Sequence, residues 1–419
     1  MAVFGKKATS HAAIAVAMQD FRFIRSRRSE TVLSWFVKFS CDIATKGIFL
    51  FPRGDSFKVK RVIDSDGKLA AFLPVLRAAD WVALDTEADS LHAYPEKLCL
   101  LQITTVEGDK LIDPLARIDL TPLWPELKRH QLILHGADYD LRLLRKNHSF
   151  VPDRIFDTML ASRLLGEREF GLGSLLQRHL GVTLEKGSQK ADWSRRPLTA
   201  RMEAYARNDT HYLKPLADIL TAQLRQKNRL LWLEQSCDRL IAECALPTRH
   251  EPDLVWRIRG SNKLNCPSLA VLREIWHWRE QEAVAANRPP FFVLSHDTLI
   301  EIAAVATSHG QVAPLLPRHF SARRKDSLHE AIQHGLQIEP EGHPHPLRHQ
   351  TRRQSEAERR RFLELESRRN KRAAELELDP TLIASRATLL SLAGDWDRHN
   401  SELMDWQRDL LTPERTHEN

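Results

Sequence analysis

Three acids follow directly on an apolar segment early in the chain, and this juxtaposition limits the available folds more than any other feature. Residues 81–84, WVAL, have the composition of a buried strand, yet they lead straight into Asp85, Glu87 and Asp89. Apolar residues resume at Leu98. A buried carboxylate without a partner costs several kcal/mol. The acids therefore belong either to a solvated hairpin turn or to a site that binds a positively charged ligand.

The part of the chain from about residue 61 to 230 alternates short apolar runs with amphipathic segments. The apolar runs predict strands over 81–84, 98–105, 110–112 and 132–135. The amphipathic segments predict helices over 68–78, 138–146, 157–165, 172–180 and 199–227. Strands that come early and helices that pack after them predict an α/β domain.

Strand signals fade after about Cys244, and the rest of the chain has helical patterns. Pro247, Pro252 and Pro267 mark a linker, and the segment EGHPHPLRHQ divides this half again. Helices are predicted over 267–287, 297–308, 322–334, 355–376, 381–392 and 395–411. Two small helical domains fit this pattern better than one large bundle.

Composition excludes several protein classes. At 419 residues the chain is long enough for two or three domains. No apolar run reaches the roughly 18 residues that a transmembrane helix needs. The 5 cysteines are scattered and have no zinc-like spacing, which predicts reduced thiols in a cytoplasmic protein. The net charge of +7 is a weak indication of a polyanionic partner.

Acidic residues recur at two other places where the chain can return to the edge of the first strand. Asp85 and Glu87 lie two apart on a strand and therefore share one face. In LILHGADYDLRLL a strand gives way to a helix whose first turn holds Asp138 and Asp140. In MEAYARNDTHYL, Tyr205 and Asp209 are four apart on one helix face. Asp138 is expected to cap the helix, as such residues do routinely, and these local patterns leave the choice between Asp138 and Asp140 as a ligand open.

Taken together, these groups match the needs of two hard divalent cations. Such ions prefer oxygen ligands, and water and substrate phosphate complete their coordination. Two of them about 3.5–4 Å apart can activate a water and stabilise the leaving oxygen in phosphodiester hydrolysis. A tyrosine hydroxyl, with an ordinary pKa near 10, is suited to hold the attacking water by a hydrogen bond.

The segments DTE, HGADYD and YARND resemble, in order and spacing, the three exonuclease motifs of the DEDD superfamily. The form Y-x-x-x-D is that of its tyrosine branch. The resemblance implies a ribonuclease H-like exonuclease domain, a mixed sheet flanked by helices. It also implies that two Mg²⁺ or Mn²⁺ ions are held by four acids and that a tyrosine positions the water. The positions that match these motif residues are Asp85, Glu87, Asp140 and Asp209 as metal ligands and Tyr205 as the residue that positions the water.

Within that branch the chain is most similar to the ribonuclease D family. FDTMLASRLLG and GLGSLLQRHLGVTLEKGSQKADWSRRPLT resemble the stretch between the second and third motifs. LNCPSLAVLREIWHWREQEAVAANRPPFFVLSHDTLIEIA resembles an HRDC domain, and NKRAAELELDPTLIASRATLLSL resembles a second, more divergent one. The resemblance covers roughly 60–411. The expected organisation is a poorly ordered extension, an exonuclease domain and two all-α HRDC-type domains, over 1–58, 59–245, 246–345 and 346–419.

The resemblance implies a monomeric 3′→5′ exoribonuclease that acts on structured RNA 3′ ends, such as those of tRNA precursors, and releases nucleoside 5′-monophosphates. Two alternatives stay open. DNA 3′ exonucleases carry the same motifs, and the contacts to the 2′-OH that separate RNA from DNA have no sequence signature here. A catalytically silent RNA-binding protein is the other alternative, against which the intact acids and tyrosine argue.

Several further residues have competing interpretations. Asp157 is expected to cap a helix, and Asp89 to be a solvated turn residue. Lys190, Trp193, Arg195 and Arg196 either face the substrate or, for Trp193, anchor a loop. The basic segment 348–372 is either an exposed helix with i,i+4 ion pairs or a surface that contacts phosphates.

Overall fold

The structure is a computed structural model and describes residues 62–185, 187–247, 251–347 and 354–412. The extension expected over 1–58 lies outside these residues. Among the helices in the described ranges, none combines the length and the apolar character needed to cross a membrane.

Six strands form one mixed sheet. They are β1 (Val62–Ile63), β2 (Val82–Ala88), β3 (Leu98–Thr105), β4 (Gly108–Ile112), β5 (Gln131–Leu134) and β6 (Arg154–Asp157). Their order across the sheet is β1-β4-β3-β2-β5-β6. Strands β2, β3 and β4 are antiparallel neighbours, whereas β5 and β6 extend the sheet in parallel from β2. Every residue of β3 is buried, as expected for a central strand with a continuous apolar sequence.

Strand β2 differs from its prediction because it continues through the acids instead of ending before them. Asp85 pairs with Gln102, and Glu87 pairs with Leu100, on the β3 side. On the other side β5 pairs only with Val82 and Ala83. The second half of β2 therefore lacks a strand neighbour on one side, and this opening makes room for polar side chains within a strand.

Eight helices accompany the sheet in the described part of the chain. They are α1 (Asp66–Ala78), α2 (Leu123–Lys128), α3 (Asp138–His148), α4 (Thr158–Leu164), α5 (Leu172–Leu180), α6 (Ala200–His211), α7 (Leu213–Gln226) and α8 (Leu230–Ala245). The single helix predicted over 199–227 is wrong, because α6 and α7 meet at Tyr212. Pro215 has no N–H to bond the carbonyl of His211, so the helix cannot continue through this point. Helices α2 and α8 have no counterpart among the predicted helices.

The remaining described residues form two helical groups. The first contains α9 (Cys266–Ala285), α10 (Pro290–Val293), α11 (His296–Thr307) and α12 (Ala322–Leu336). The second contains α13 (Glu356–Leu376), α14 (Pro380–Ile383), α15 (Arg386–Gly394), α16 (Trp396–His399) and α17 (Asp405–Leu411). The predicted α/β domain with a mixed sheet, followed by a helical half, is confirmed.

The two helical groups repeat one local arrangement. Arg279 of α9 and Arg369 of α13 each donate from Nη1 to a backbone carbonyl 15 residues later. The acceptors precede Ser295 and Ser385, which cap α11 and α15 through their side chains. Both arginines are almost fully buried. The same long helix, short helix and capped helix therefore occur twice in this half of the chain.

The second helical group shares its hydrophobic core with the α/β domain, whereas the first group has its own. Trp406 of α17 stacks on Trp232 of α8 with 4.8 Å between ring centroids. The buried Arg229 bridges the two parts, donating to the carbonyls of Leu164 and Leu376 at 2.8 Å each. Hence α13–α17 pack against the α/β domain at helix α8.

We expect Trp406→Ala to lower the free energy of unfolding by about 3–5 kcal/mol, because it removes a buried aromatic side chain from the shared core. Urea denaturation measures this loss. Leu363→Ala on the outer face of α13 is the control, since Leu363 is 54% exposed and should change the free energy by less than about 0.5 kcal/mol. A Trp406→Ala loss no larger than that of the control would contradict the shared core.

Candidate active site

Three of the predicted ligands meet beside the open half of β2. One carboxylate oxygen each from Asp85, Glu87 and Asp209 lies within 4.8 Å of the other two. Across the described ranges, this is the one group of at least three acidic, His or Cys side chains close enough to hold a metal ion. Strand alternation brings Asp85 and Glu87 to one face, and helix α6 brings Asp209 to it.

Helix α6 is fixed in place by its start and by its contact with the sheet. Thr199 caps it by accepting a hydrogen bond from the Met202 N–H. Near its end, the hydroxyls of Thr210 and Thr104 of β3 are hydrogen-bonded at 2.7 Å. Tyr205 and Asp209 lie on the helix face turned to the acids, and both line the cleft that leads to them. The predicted tyrosine and its acid thus belong to one rigid helix.

Asp140 lies beside this group rather than within it. It is in the first turn of α3, only 6% exposed, and accepts a hydrogen bond from the Thr86 hydroxyl. Asp138 points elsewhere, since its exposed carboxylate pairs with Arg142 at 2.9 Å. The prediction that Asp138 caps the helix is wrong, because the N-cap residue of α3 is Ala137 and no side chain caps this helix. Of the two candidate acids, only Asp140 faces the cluster.

Thr86 is a site residue that the sequence analysis missed. It stands between Asp85 and Glu87 in β2, and its hydroxyl donates a hydrogen bond to Asp140 of α3. This bond joins the first acidic motif to the second. The only sequence signal for it was a hydroxyl residue in the middle of DTE.

Asp157 is a helix cap, and this prediction is confirmed. Its carboxylate accepts from the N–H groups of Met159 and Leu160 at the start of α4. The same carboxylate also accepts from Gly136 at 3.0 Å and from Ala137 at 2.8 Å. It thereby fixes the turn from which Asp140 projects.

The acids repel one another strongly in the absence of a cation. Burial raises the pKa of Asp85 well above its ordinary value, and the charges of Asp140, Asp209 and Glu87 raise it further. Burial followed by the charges of Asp209 and Asp140 raises the pKa of Glu87 to about 9. Burial is also the main cause that raises the pKa values of Asp140 and Asp209 to about 7. Such a group favours either protons or a bound cation.

Without metal, the site should therefore destabilise the protein as pH rises. Because the folded-state pKa values are raised above the unfolded value of about 4, the folded state binds more protons, and the free energy of unfolding falls with increasing pH. The fall should extend to about pH 7 for Asp140 and Asp209 and to about pH 9 for Glu87. Thermal melts in a chelator should show it, and Mg²⁺ or Mn²⁺ should raise the melting temperature more at high pH. A cation effect that grows toward acidic pH would contradict this prediction.

The prediction that Asp89 is a solvated turn residue is wrong. Asp89 is 0% exposed and pairs with the Lys97 ammonium, and it also accepts from the Lys97 N–H at 2.9 Å. Its carboxylate closes the loop between β2 and β3. The same loop contacts α9, since the Tyr94 hydroxyl donates to Glu280 at 2.5 Å. Asp89 is thus a structural acid that shapes one wall beside the site.

The loop before α6 combines anchoring residues with exposed cations. Trp193 is 1% exposed, which supports its interpretation as an anchor. Arg196 is structural as well, because its guanidinium pairs with Asp113 at 2.6 Å and also donates to backbone carbonyls. Arg195 pairs with Asp192 at the surface. Lys190 is exposed and lines the cleft, so it alone among the four faces the route to the acids.

An open cleft of about 1320 Å³ leads to the acidic group. Its floor contains the predicted acids and Tyr205. Its opposite side is formed by the start of α5 and by loop residues over 183–185 and 187–191. The cleft is large enough to hold a terminal nucleotide. Because the phosphate of the nucleotide and the acids are both negatively charged, cations would have to lie between them.

The basic segment 348–372 is largely structural where it is described. Arg361, Arg368 and Arg369 of α13 each donate to a backbone carbonyl of the second helical group. Arg359 and Arg360 are exposed on the same helix. The part of the segment over 348–353 lies outside the described residues. Within the described part of the segment, a phosphate-contacting surface would rest on exposed cations such as Arg359, Arg360 and Lys371.

Comparisons with known proteins agree with this geometry. A family model described as 3′-5′ exonuclease matches residues 60–225, and the HRDC domain model matches residues 268–308. Ribonuclease D of Zymomonas mobilis is 35% identical over 254 residues, which span 59% of this chain and 64% of that protein. Ribonuclease D of Desulfotalea psychrophila is 32% identical over 252 residues, which span 59% of this chain and 67% of that protein.

A solved structure extends the comparison to the fold of nearly the whole described chain. The crystal structure of Escherichia coli RNase D superposes with a TM-score of 0.65 at 24% identity. The match covers 84% of this chain and 98% of that one, so the two share the α/β domain and the helical half. Together with the sequence relatives and the exonuclease motifs, these similarities establish that the chain belongs to the ribonuclease D family.

Proposed function

We propose that this protein is a metal-dependent 3′→5′ exoribonuclease that releases nucleoside 5′-monophosphates from RNA 3′ ends. The convergence of Asp85, Glu87 and Asp209 at one edge, with Asp140 beside them, carries the proposal. Curated relatives named ribonuclease D support it. The acids and the tyrosine are those that the sequence motifs predicted as catalytic.

The donor set fits a pair of divalent cations. All four side chains offer only oxygen, the ligand that Mg²⁺ and Mn²⁺ prefer. Their raised pKa values mark a concentration of negative charge in a buried place. We assign Asp85, Glu87, Asp140 and Asp209 as the groups that would hold the ions. When bound, such ions activate a water and stabilise the leaving oxygen in phosphodiester hydrolysis.

Tyr205 supplies the hydrogen bond that orients the attacking water. Burial and then the charge of Asp209 raise the pKa of Tyr205 well above its ordinary value, so the phenol stays protonated at neutral pH. It can therefore donate a hydrogen bond but not act as a base. Asp209 lies one turn further along the same helix, and its charge is part of what keeps this hydroxyl protonated. The proton of the attacking water must then leave by another route, through solvent in the open cleft.

The helical half would hold the body of a structured RNA, such as a tRNA precursor. We assign the exonuclease domain to 59–245, an HRDC domain to 246–345 and a second HRDC-type domain to 346–419. The repeated arginine and serine arrangement in α9–α11 and α13–α15 supports the second assignment. Because the cleft floor is acidic, exposed cations such as Lys190, Arg359 and Arg360 would supply affinity for phosphates.

The same proposal includes a monomer that works in the cytoplasm. Cys99, Cys237, Cys244 and Cys266 are free thiols, and the first three are buried. Free buried thiols suit a reducing compartment. Sedimentation at micromolar concentration and cell fractionation test these two points independently of the activity.

Matched substrates test the proposed function. Purified protein with Mg²⁺ or Mn²⁺ is given RNA and DNA strands of one sequence, each with a free or a blocked 3′ end. We expect stepwise shortening of the free RNA, little action on DNA and none on blocked strands. Faster degradation of DNA would favour a DNA 3′ exonuclease. RNA binding without nucleotide release under any metal condition would favour a catalytically silent RNA-binding protein.

A further inference from the structure

Gly187 lies against the ring of Tyr205 more closely than any side chain would permit. A Cβ atom at this position would be 2.1 Å from Cδ2, 3.0 Å from Cγ and 3.1 Å from Cε2 of Tyr205. Carbon atoms in favourable contact are about 3.5–4.0 Å apart. The ring of Tyr205 therefore leaves no space for a side chain at position 187.

The other glycines of the cleft differ from Gly187. Gly171 and Gly173 at the start of α5 also line the cleft, but a Cβ atom on either would meet nothing within 4 Å. The close approach is thus a specific feature of one loop and one ring. It is not a general consequence of glycine-rich sequence around the site.

The loop that carries Gly187 contacts Tyr205 a second time and is anchored beyond it. The rings of Trp193 and Tyr205 have centroids 6.0 Å apart, and the Trp193 indole is buried. Arg196 fixes the end of the loop through Asp113 and through the carbonyl of Cys99 at 2.7 Å. Near the middle, the carbonyl of Lys190 contacts the His92 ring at 3.2 Å. The contacts of Lys190 and Arg196 therefore hold the loop on either side of Trp193, its second contact with Tyr205.

We propose that the 187–196 loop positions the Tyr205 hydroxyl for catalysis, with Gly187 as the positioning residue whose missing side chain lets the backbone support the ring. This inference rests on the proposed function, because it assigns a purpose to the orientation of Tyr205. Gly187 touches neither the metal-ligand acids nor the reacting atoms in this scheme. Gly187 therefore affects the reaction only by setting the position of the Tyr205 ring.

The test is a double-mutant cycle between Gly187→Ala and Tyr205→Phe. An added methyl group must move the ring by about an ångström, and a displacement of that size can cost up to about 10²-fold in rate. We expect Gly187→Ala to lower kcat by about 10-fold to 10²-fold, with KM for RNA and the Kd for Mn²⁺ unchanged. In the Tyr205→Phe background the same change should lower kcat less than about 3-fold further, since the group it misplaces is already gone.

Gly67→Ala is the matched control. Gly67 lies in the first turn of α1, away from the cleft, and a Cβ atom there meets nothing within 4 Å. This variant should keep wild-type kcat and melting temperature. If Gly187→Ala fails to fold, Trp193→Phe replaces it in the same cycle, because it shrinks the second contact with the ring.

The possible outcomes distinguish a failure of the positioning role of Gly187 from a failure of the proposed exonuclease function. Multiplicative losses in the double variant, wild-type kcat in Gly187→Ala, or a parallel weakening of RNA and Mn²⁺ binding would each overturn the positioning role while leaving the exonuclease intact. A wild-type protein that releases no nucleotide with either metal would overturn the proposed function, and the positioning role with it.

Discussion

Replacing Asp140 by asparagine should lower kcat/KM for RNA by at least about 10³-fold, because a neutral amide cannot replace a carboxylate as a ligand for a hard cation. The fold should survive, since the asparagine oxygen can still accept the hydrogen bond that Thr86 donates to Asp140. Single-turnover degradation of a labelled RNA measures the loss. The rise in melting temperature on addition of Mn²⁺ should shrink in parallel, and this second readout does not depend on catalysis.

Asp138→Asn is the matched control for this variant. The chemical change is identical and only two positions away, but Asp138 is exposed and pairs with Arg142 rather than with the acidic group. An exposed ion pair contributes at most about 1 kcal/mol to stability. Activity close to wild type is therefore expected. Equal losses in the two variants would mean that α3 is merely perturbed, and an active Asp140→Asn variant would contradict the ligand assignment.

The second large effect is expected for Tyr205→Phe. Removal of the hydroxyl deletes the donor that orients the water, and we expect kcat to fall by about 10²-fold, within the range for such groups. The loss should appear in kcat with little change in KM for RNA, because the ring that packs near Trp193 remains. The Mn²⁺-induced rise in melting temperature should also remain. A loss confined to KM would instead make Tyr205 a substrate-binding residue.

Local patterns predicted which side chains the fold brings to one face of a strand or of a helix. The period of a strand places Asp85 and Glu87 on one face, and the period of a helix places Tyr205 and Asp209 on one face. The choice between Asp138 and Asp140 needed the family resemblance, because both lie in the first turn of α3. In the fold, the hydrogen bond from Thr86 distinguishes Asp140 from Asp138.

Other features depend on partners that no local pattern reveals. Asp89 is buried because Lys97, across an irregular loop, neutralises it. Arg368 reaches the carbonyl of Leu411 at the far end of the second helical group. Gly187 matters only once α6 has brought Tyr205 against it. In each case the pairing is set by chain folding rather than by spacing in the sequence.

The central claim is that the acids at β2, α3 and α6 form a metal-dependent exonuclease centre, and one time course tests it most directly. An RNA labelled at its 5′ end is incubated with wild-type protein in chelator alone and after addition of Mg²⁺ or Mn²⁺, and both the labelled strand and the released product are resolved. We predict a ladder that shortens one nucleotide at a time from the 3′ end, with nucleoside 5′-monophosphate as the product, only when metal is present. Cleavage within the strand, or equal degradation in the chelator, would contradict the claim.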